Sequence, residues 1–200
     1  MGPLSNVLPL THERGIPITV FIPSGIVGGD GHFPWVSHRR ACERDAMTRP
    51  ELEDVAHYPE VTVSAHTVHH TVTAGLSPER SRVELCECQR ALEAWTGSEV
   101  RYFAYPAGQT DGREKQLLIE FGYRLAFTTR NAFITPDCDP FQVPRFSIAD
   151  EIWFPEAICN MVGVWRPAIE SVRRLSGYFR RAWRVSHNPE CRIPTSPAQM

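Results

Sequence analysis

Apolar and polar positions along this chain fall into blocks whose period changes, and each change marks an element. Over residues 6–14, Val7, Leu8 and Leu10 give a helix an apolar side, and Gly15 stands where that helix ends. Residues 16–22, Ile-Pro-Ile-Thr-Val-Phe-Ile, are a near-continuous apolar run. That pattern predicts a strand buried on both faces, as in a parallel sheet. Residues 23–45 are Gly-rich and read as a loop that carries Asp30, His32 and Trp35. Thr48 and Glu51 form a capping box around Pro50 and open a helix to about Tyr58. Val61, Val63 and Ala65 then alternate with Thr62 and Ser64, which is strand periodicity.

Ser77 caps the next helix with Pro78 at its first position. Leu85, Cys88, Leu92 and Trp95 share one face of it, and Gly97 stops it. Residues 100–105 predict a strand, 111–121 a helix closed by Gly122, 123–128 a strand and 141–148 another. Helix and strand therefore alternate, which argues an α/β fold with a parallel sheet covered by helices. In such folds, and in α/β barrels above all, chemistry sits at the C-terminal ends of the strands.

His66 and His70 lie at one such end, four positions apart with Thr67 between them. One helical turn after the strand would bring the two imidazoles to one side. Imidazole is the commonest side-chain ligand for zinc-like ions, so the pair is half of a metal site. A surface or capping role is the competing reading, because zinc takes at least three protein ligands and only two are in this stretch.

Composition narrows the field. Hydrophobic residues make up 42% and charged residues 22% of 200 residues, ordinary for a globular domain with a sizeable core. A net charge of −2 gives no electrostatic case for nucleic acid. The six cysteines do not follow paired zinc-ribbon spacing, and free thiols are expected; Cys86 and Cys88 fall in a helical pattern where packing explains them. No apolar run follows a basic start, so the chain as written shows no signal peptide and is expected to be cytoplasmic. Residues 151–185 read as a helical extension of the domain at 1–150, and 186–200 as a disordered tail. In the extension, Ile169, Val172, Phe179 and Trp183 oppose Arg173, Arg174, Arg180, Arg181 and Arg184. That basic amphipathic face reads as a solvated outer face, with an anionic membrane surface as the alternative.

Three segments in order resemble the polysaccharide deacetylase family, the nodulation-type chitooligosaccharide deacetylase homology domain. Residues 15–21, Gly-Ile-Pro-Ile-Thr-Val-Phe, are similar to its second strand. Residues 66–70, His-Thr-Val-His-His, fit its metal motif H-[ST]-x-x-H. Residues 101–108, Arg-Tyr-Phe-Ala-Tyr-Pro-Ala-Gly, fit R-x-F-A-Y-P-x-G, and Val143-Pro144-Arg145-Phe146 resembles a later strand.

The resemblance implies a distorted (β/α) barrel, here incomplete. It also implies a divalent metal, usually zinc, whose bound water attacks the acetamide of an N-acetylated sugar, a hydrolase reaction on a non-peptide carbon–nitrogen bond. His66 and His70 would be metal ligands, and Thr67 would brace their loop by hydrogen bonding. Arg101 would orient the catalytic carboxylate, and the Tyr105 backbone N–H would help hold the oxyanion. For Arg101 and Tyr105 the other readings are a strand-edge ion pair and a core aromatic.

One departure stands out. The family's first strand ends in an Asp-Asp pair that supplies the base and the third metal ligand. Here only Met1 to Ser5 precede the helix that follows that strand, and they hold no carboxylate. No late leucine-histidine motif matches either. Three explanations compete: an N-terminally shortened enzyme, which is favoured, a natural pseudoenzyme, or substitute ligands Asp30 and His32 in the loop after residue 22. The expectation is therefore a metal-dependent carbohydrate deacetylase-type hydrolase, impaired in this chain, with metal weakly bound or absent. The alternative is an inactive glycan-binding or scaffold module. A missing strand would also expose the edge at 16–22, which predicts self-association.

Overall fold

The computed structural model describes residues 7–28 and 46–146, with 154, 157 and 158. The chain divides into two compact units, Met1–Ser147 and Ile148–Met200. The expected C-terminal helix and its membrane face, the tail, Trp35, Asp30 and His32 all lie outside the described residues, apart from helical positions at 154, 157 and 158.

The first unit alternates as its sequence predicts. Helix α1 (Leu8–Glu13) leads into β1 (Ile18–Ile22), α2 (Arg49–Ala56) into β2 (Val61–Ala65), α3 (Pro78–Thr96) into β3 (Tyr102–Ala104), and α4 (Glu114–Glu120) into β4 (Leu125–Phe127). The sheet runs β1-β2-β3-β4 and every pairing is parallel. Ile18 pairs with Val61 and Ile22 with Ala65; Ala65 pairs with Phe103, and Ala104 with Phe127.

The local signals explain the boundaries. The Thr48 amide donates to the Glu51 carboxylate at 2.8 Å, while the Thr48 hydroxyl receives the Glu51 amide at 3.4 Å, a complete capping box. The Ser77 hydroxyl caps α3, and Gly97, at φ 66°, ends it in the left-handed region that glycine adopts without strain. Helix α4 starts later than its pattern suggests. Gly112 sits at φ 85°, in a turn tied by the Asp111 carboxylate to the Arg113 amide, so the helix begins only at Glu114. The strand expected over 141–148 is, within the described residues, a single bridge between Val143 and Phe127. Pro144 follows it and has no N–H with which to extend the ladder.

The two faces of the sheet differ. Ile22, Val63, Ala65, Phe103, Tyr105 and Ala126 pack against Leu52 and Val55 of α2, Leu85, Cys88 and Leu92 of α3 and Leu118 of α4. Alternation puts Phe21, Ser64, Ala104 and Phe127 on the opposite face. In a flat sheet the outer strands lie about 14 Å apart. The rings of Phe21 and Phe127 nevertheless meet at 5.4 Å between centroids. The sheet is therefore curled about that face, as in a barrel, and among the described residues it is not closed. Among the described residues, strand β1 lies at the edge and pairs only with β2.

Candidate functional site

Because all four strands are parallel, their C-terminal ends share one rim. Strand β2 ends at Ala65, and the chain then turns sharply through His66 to His70. The rings of these two histidines meet edge to face, with centroids 4.7 Å apart and planes inclined by 70°. Their meeting does not come from a helical turn. Thr67, at φ 63°, and His70, at φ 57°, are left-handed instead. That backbone costs a non-glycine residue on the order of 1 kcal/mol or more. Ala107, at φ 54°, is the other such residue among those described, and it lies in the loop after β3 on the same rim.

The chemistry of His66 follows from its surroundings. Its Nδ1 lies 2.7 Å from the Ala104 carbonyl oxygen. A carbonyl carries no proton, so Nδ1 donates and Nε2 keeps its lone pair. Burial lowers the pKa to about 4; the bond to Ala104 opposes that shift, and the charges of His70 and Arg145 add to it. At pH 7 the ring is neutral, the form that binds a cation. Burial lowers the His70 pKa as well.

Metal ions of the zinc class need at least three protein ligands. The described residues contain no cluster of three or more His, Cys, Asp or Glu side chains that could hold one. The two imidazoles are thus suited to be ligands, but by themselves they do not complete a site. Asp30 and His32 fall outside the described residues.

The other expected residues are placed differently. Arg101 precedes β3, at the end of the sheet away from the rim, and pairs with Glu99 at the surface. It is not brought to the histidines. The Tyr105 N–H donates to the Phe127 carbonyl at 3.0 Å, so it is engaged in the sheet rather than held open for an oxyanion. The Tyr105 side chain is a buried aromatic whose hydroxyl donates to the Phe141 carbonyl at 3.1 Å, and burial pushes its pKa up. The Thr67 hydroxyl is fully buried and finds no hydrogen-bond partner among the described residues. The loop is braced instead through main chain, since the Ser24 amide donates to the Thr67 carbonyl and the Gly25 amide to the Val68 carbonyl. Gly25 is required there, because a Cβ would lie 2.8 Å from the Val68 oxygen.

Two side chains that the sequence reading did not assign reach this region. Arg145 donates through Nε to the Thr128 carbonyl at 2.9 Å, and its guanidinium lies 5.4 Å from the Phe21 ring centroid. It is the arginine whose charge His66 feels. Its place in the Val143-Pro144-Arg145-Phe146 segment, which resembles a later strand of the family, was the available signal. The second is Glu84, on the buried stripe of α3, which binds the loop between the histidines.

The polysaccharide deacetylase family profile matches residues 2–126. The chain belongs to the polysaccharide deacetylase family. The matched region includes His66, His70, Arg101 and Tyr105; Arg145 lies beyond it. The deacetylase PplD from Streptococcus pyogenes, in complex with acetate, superposes with a TM-score of 0.63 at 16% identity, over 79% of this chain and 65% of that one. IcaB from Ammonifex degensii gives 0.61 at 24% identity, over 80% and 69%. A de-N-acetylase from Aggregatibacter actinomycetemcomitans gives 0.62 at 13%, over 78% and 69%. At these identities the likeness is one of fold. The deacetylase-family chain spans about two-thirds of the length of these structures, 65–69%. No curated protein matches it in sequence.

Proposed function

We propose that this chain is a carbohydrate deacetylase-type hydrolase that takes an N-acetylated amino-sugar glycan at the His66–His70 rim and, as this chain stands, turns it over little or not at all. The observation that carries the reading is the histidine pair itself. Two rings meet at 4.7 Å on the rim of a polysaccharide deacetylase fold, and one of them is fixed in the tautomer that presents a bare Nε2. A divalent metal, zinc by its ligands, belongs to this reading as a weakly held partner.

The chain's own residues suit binding. Neutral His66 offers an acceptor, and the Arg145 guanidinium offers donors beside it. Phe21 and Phe127 supply an apolar floor on the curled face. Turnover asks for more. The described donor set has no third ligand, and the Tyr105 amide is already engaged. Those two facts favour the second reading, an inactive glycan-binding module.

The deciding experiment measures N-acetylglucosamine oligomer binding by calorimetry and acetate release with and without Zn²⁺. Binding that Arg145→Ala weakens and Arg101→Ala does not, with acetate release at least ~100-fold below an intact enzyme, is expected. Brisk acetate release would overturn the impaired reading, and absence of binding would overturn both. Self-association through the open edge of β1 is a further part of the proposal, because an apolar edge strand pairs readily with another chain. A monomer at high concentration in sizing experiments would refute it.

A further inference from the structure

Glu84 lies on the α3 face that also carries Ser81, Leu85, Cys88 and Leu92, and it is only 9% exposed. A carboxylate among apolar neighbours costs several kcal/mol unless donors surround it. Here four donors do, and all come from one loop. Oε2 accepts the Val68 amide at 2.8 Å and the His69 amide at 3.1 Å. Oε1 accepts His69 Nδ1 at 3.0 Å and the Thr71 hydroxyl at 3.2 Å. Burial would raise the Glu84 pKa, but the bonds from His69, Val68 and Thr71 outweigh it and hold the group below the usual carboxylate range.

The placement of these bonds matters. Val68 and His69 lie between Thr67 and His70, the two left-handed residues. On the other side of the same stretch, Ser24 and Gly25 bind the carbonyls of Thr67 and Val68. The strained turn is therefore gripped by its amides from α3 and by its carbonyls from the chain leaving β1. Without the amide grip, nothing in the local sequence keeps a threonine and a histidine in left-handed backbone.

We propose that Glu84 is the positioning residue of this site: its carboxylate fixes the backbone between His66 and His70 and so holds the two rings face to edge. The inference rests on the histidine pair being the functional centre, and its test separates the two ideas. NMR on the full chain compares wild type with Glu84→Gln, which replaces one acceptor oxygen with a donor. The expected result is amide exchange at Val68 and His69 faster by about tenfold or more, with Phe103 and Ala126 unchanged, and loss of the ring–ring NOE between His66 and His70. Retention of protection and of the NOE would overturn the proposal. Should the Gln variant fail to fold, Glu84→Asp keeps the charge, withdraws the carboxylate by one methylene, and is read in the same way. Zn²⁺ is added last. If the wild-type His66 and His70 ring resonances do not respond, the metal reading fails while the exchange and NOE data still decide the role of Glu84. If they respond with the same midpoint in Glu84→Gln, positioning by Glu84 is overturned.

Discussion

The two faces of the sheet are built on opposite principles. The helix-covered face is apolar and closed: Leu52, Leu85, Leu92, Phe103 and Ala126 have no exposed surface. The rim and the curled face carry left-handed Thr67, His70 and Ala107 and the buried hydroxyls of Ser64 and Thr67, which find no partner among the described residues. One region is held together by close packing of apolar side chains. The other leaves polar groups and backbone away from their local optimum, which persists only because its surroundings over-determine it. Strain of this kind collects where ligands are handled, and here it collects around the histidines.

The sharpest way to break this contrast is to open the closed face. Leu85→Ala removes a fully buried side chain and is expected to cost about 2–5 kcal/mol, read by chemical denaturation. A cost under 1 kcal/mol would mean that α3 is not the centre of the core.

Acid probes the rim. His66 has a folded pKa of about 4 against 6.5 in the unfolded chain. Above pH 6.5 the ring is neutral in both states. As pH falls from 6.5 to 4 the unfolded chain takes up the proton and the folded chain does not, so stability is lost across that window, by roughly 3 kcal/mol. Comparing the pH dependence of wild type with that of His66→Gln isolates this contribution; identical profiles would show that the ring is not buried as described.

The smallest effect discriminates best. Thr67→Val deletes a hydroxyl that has no partner among the described residues and keeps the shape, so stability is expected to hold or rise, within about 1 kcal/mol. A clear loss would restore the bracing hydrogen bond that the family resemblance implies.

The helix-covered face was largely legible in the sequence. The Thr48–Glu51 capping box, the Ser77 cap, the glycine stops and the alternation at Val61–Ala65 are local signals, and they gave α2, α3, β2 and the order of elements. Boundaries moved only where one residue overrode a pattern, as Gly112 did for α4 and Pro144 for the last strand. The rim was legible as motifs rather than as geometry. His66 and His70 were visible at their spacing, but the route by which they meet was not. Arg101 carried a motif position and lies at the wrong end of β3, while Arg145, forty-odd residues on, is the one near His66. Glu84 was one helical turn ahead of Cys88 on the apolar stripe, a charge in a buried register that pointed to donors somewhere else in the fold.

What the chain's order of residues determined by itself is the class of fold and the identity of the histidine pair, because propensity, capping and periodicity act over a few neighbouring positions. Which groups surround that pair was decided by the curl and parallel register of the sheet. Those bring Ala104, Glu84 and Arg145 to residues 66–70 from distant parts of the chain, and they occupy the Tyr105 amide with Phe127. Hydrogen-bond partners at such separations follow from packing, and no local pattern encodes them.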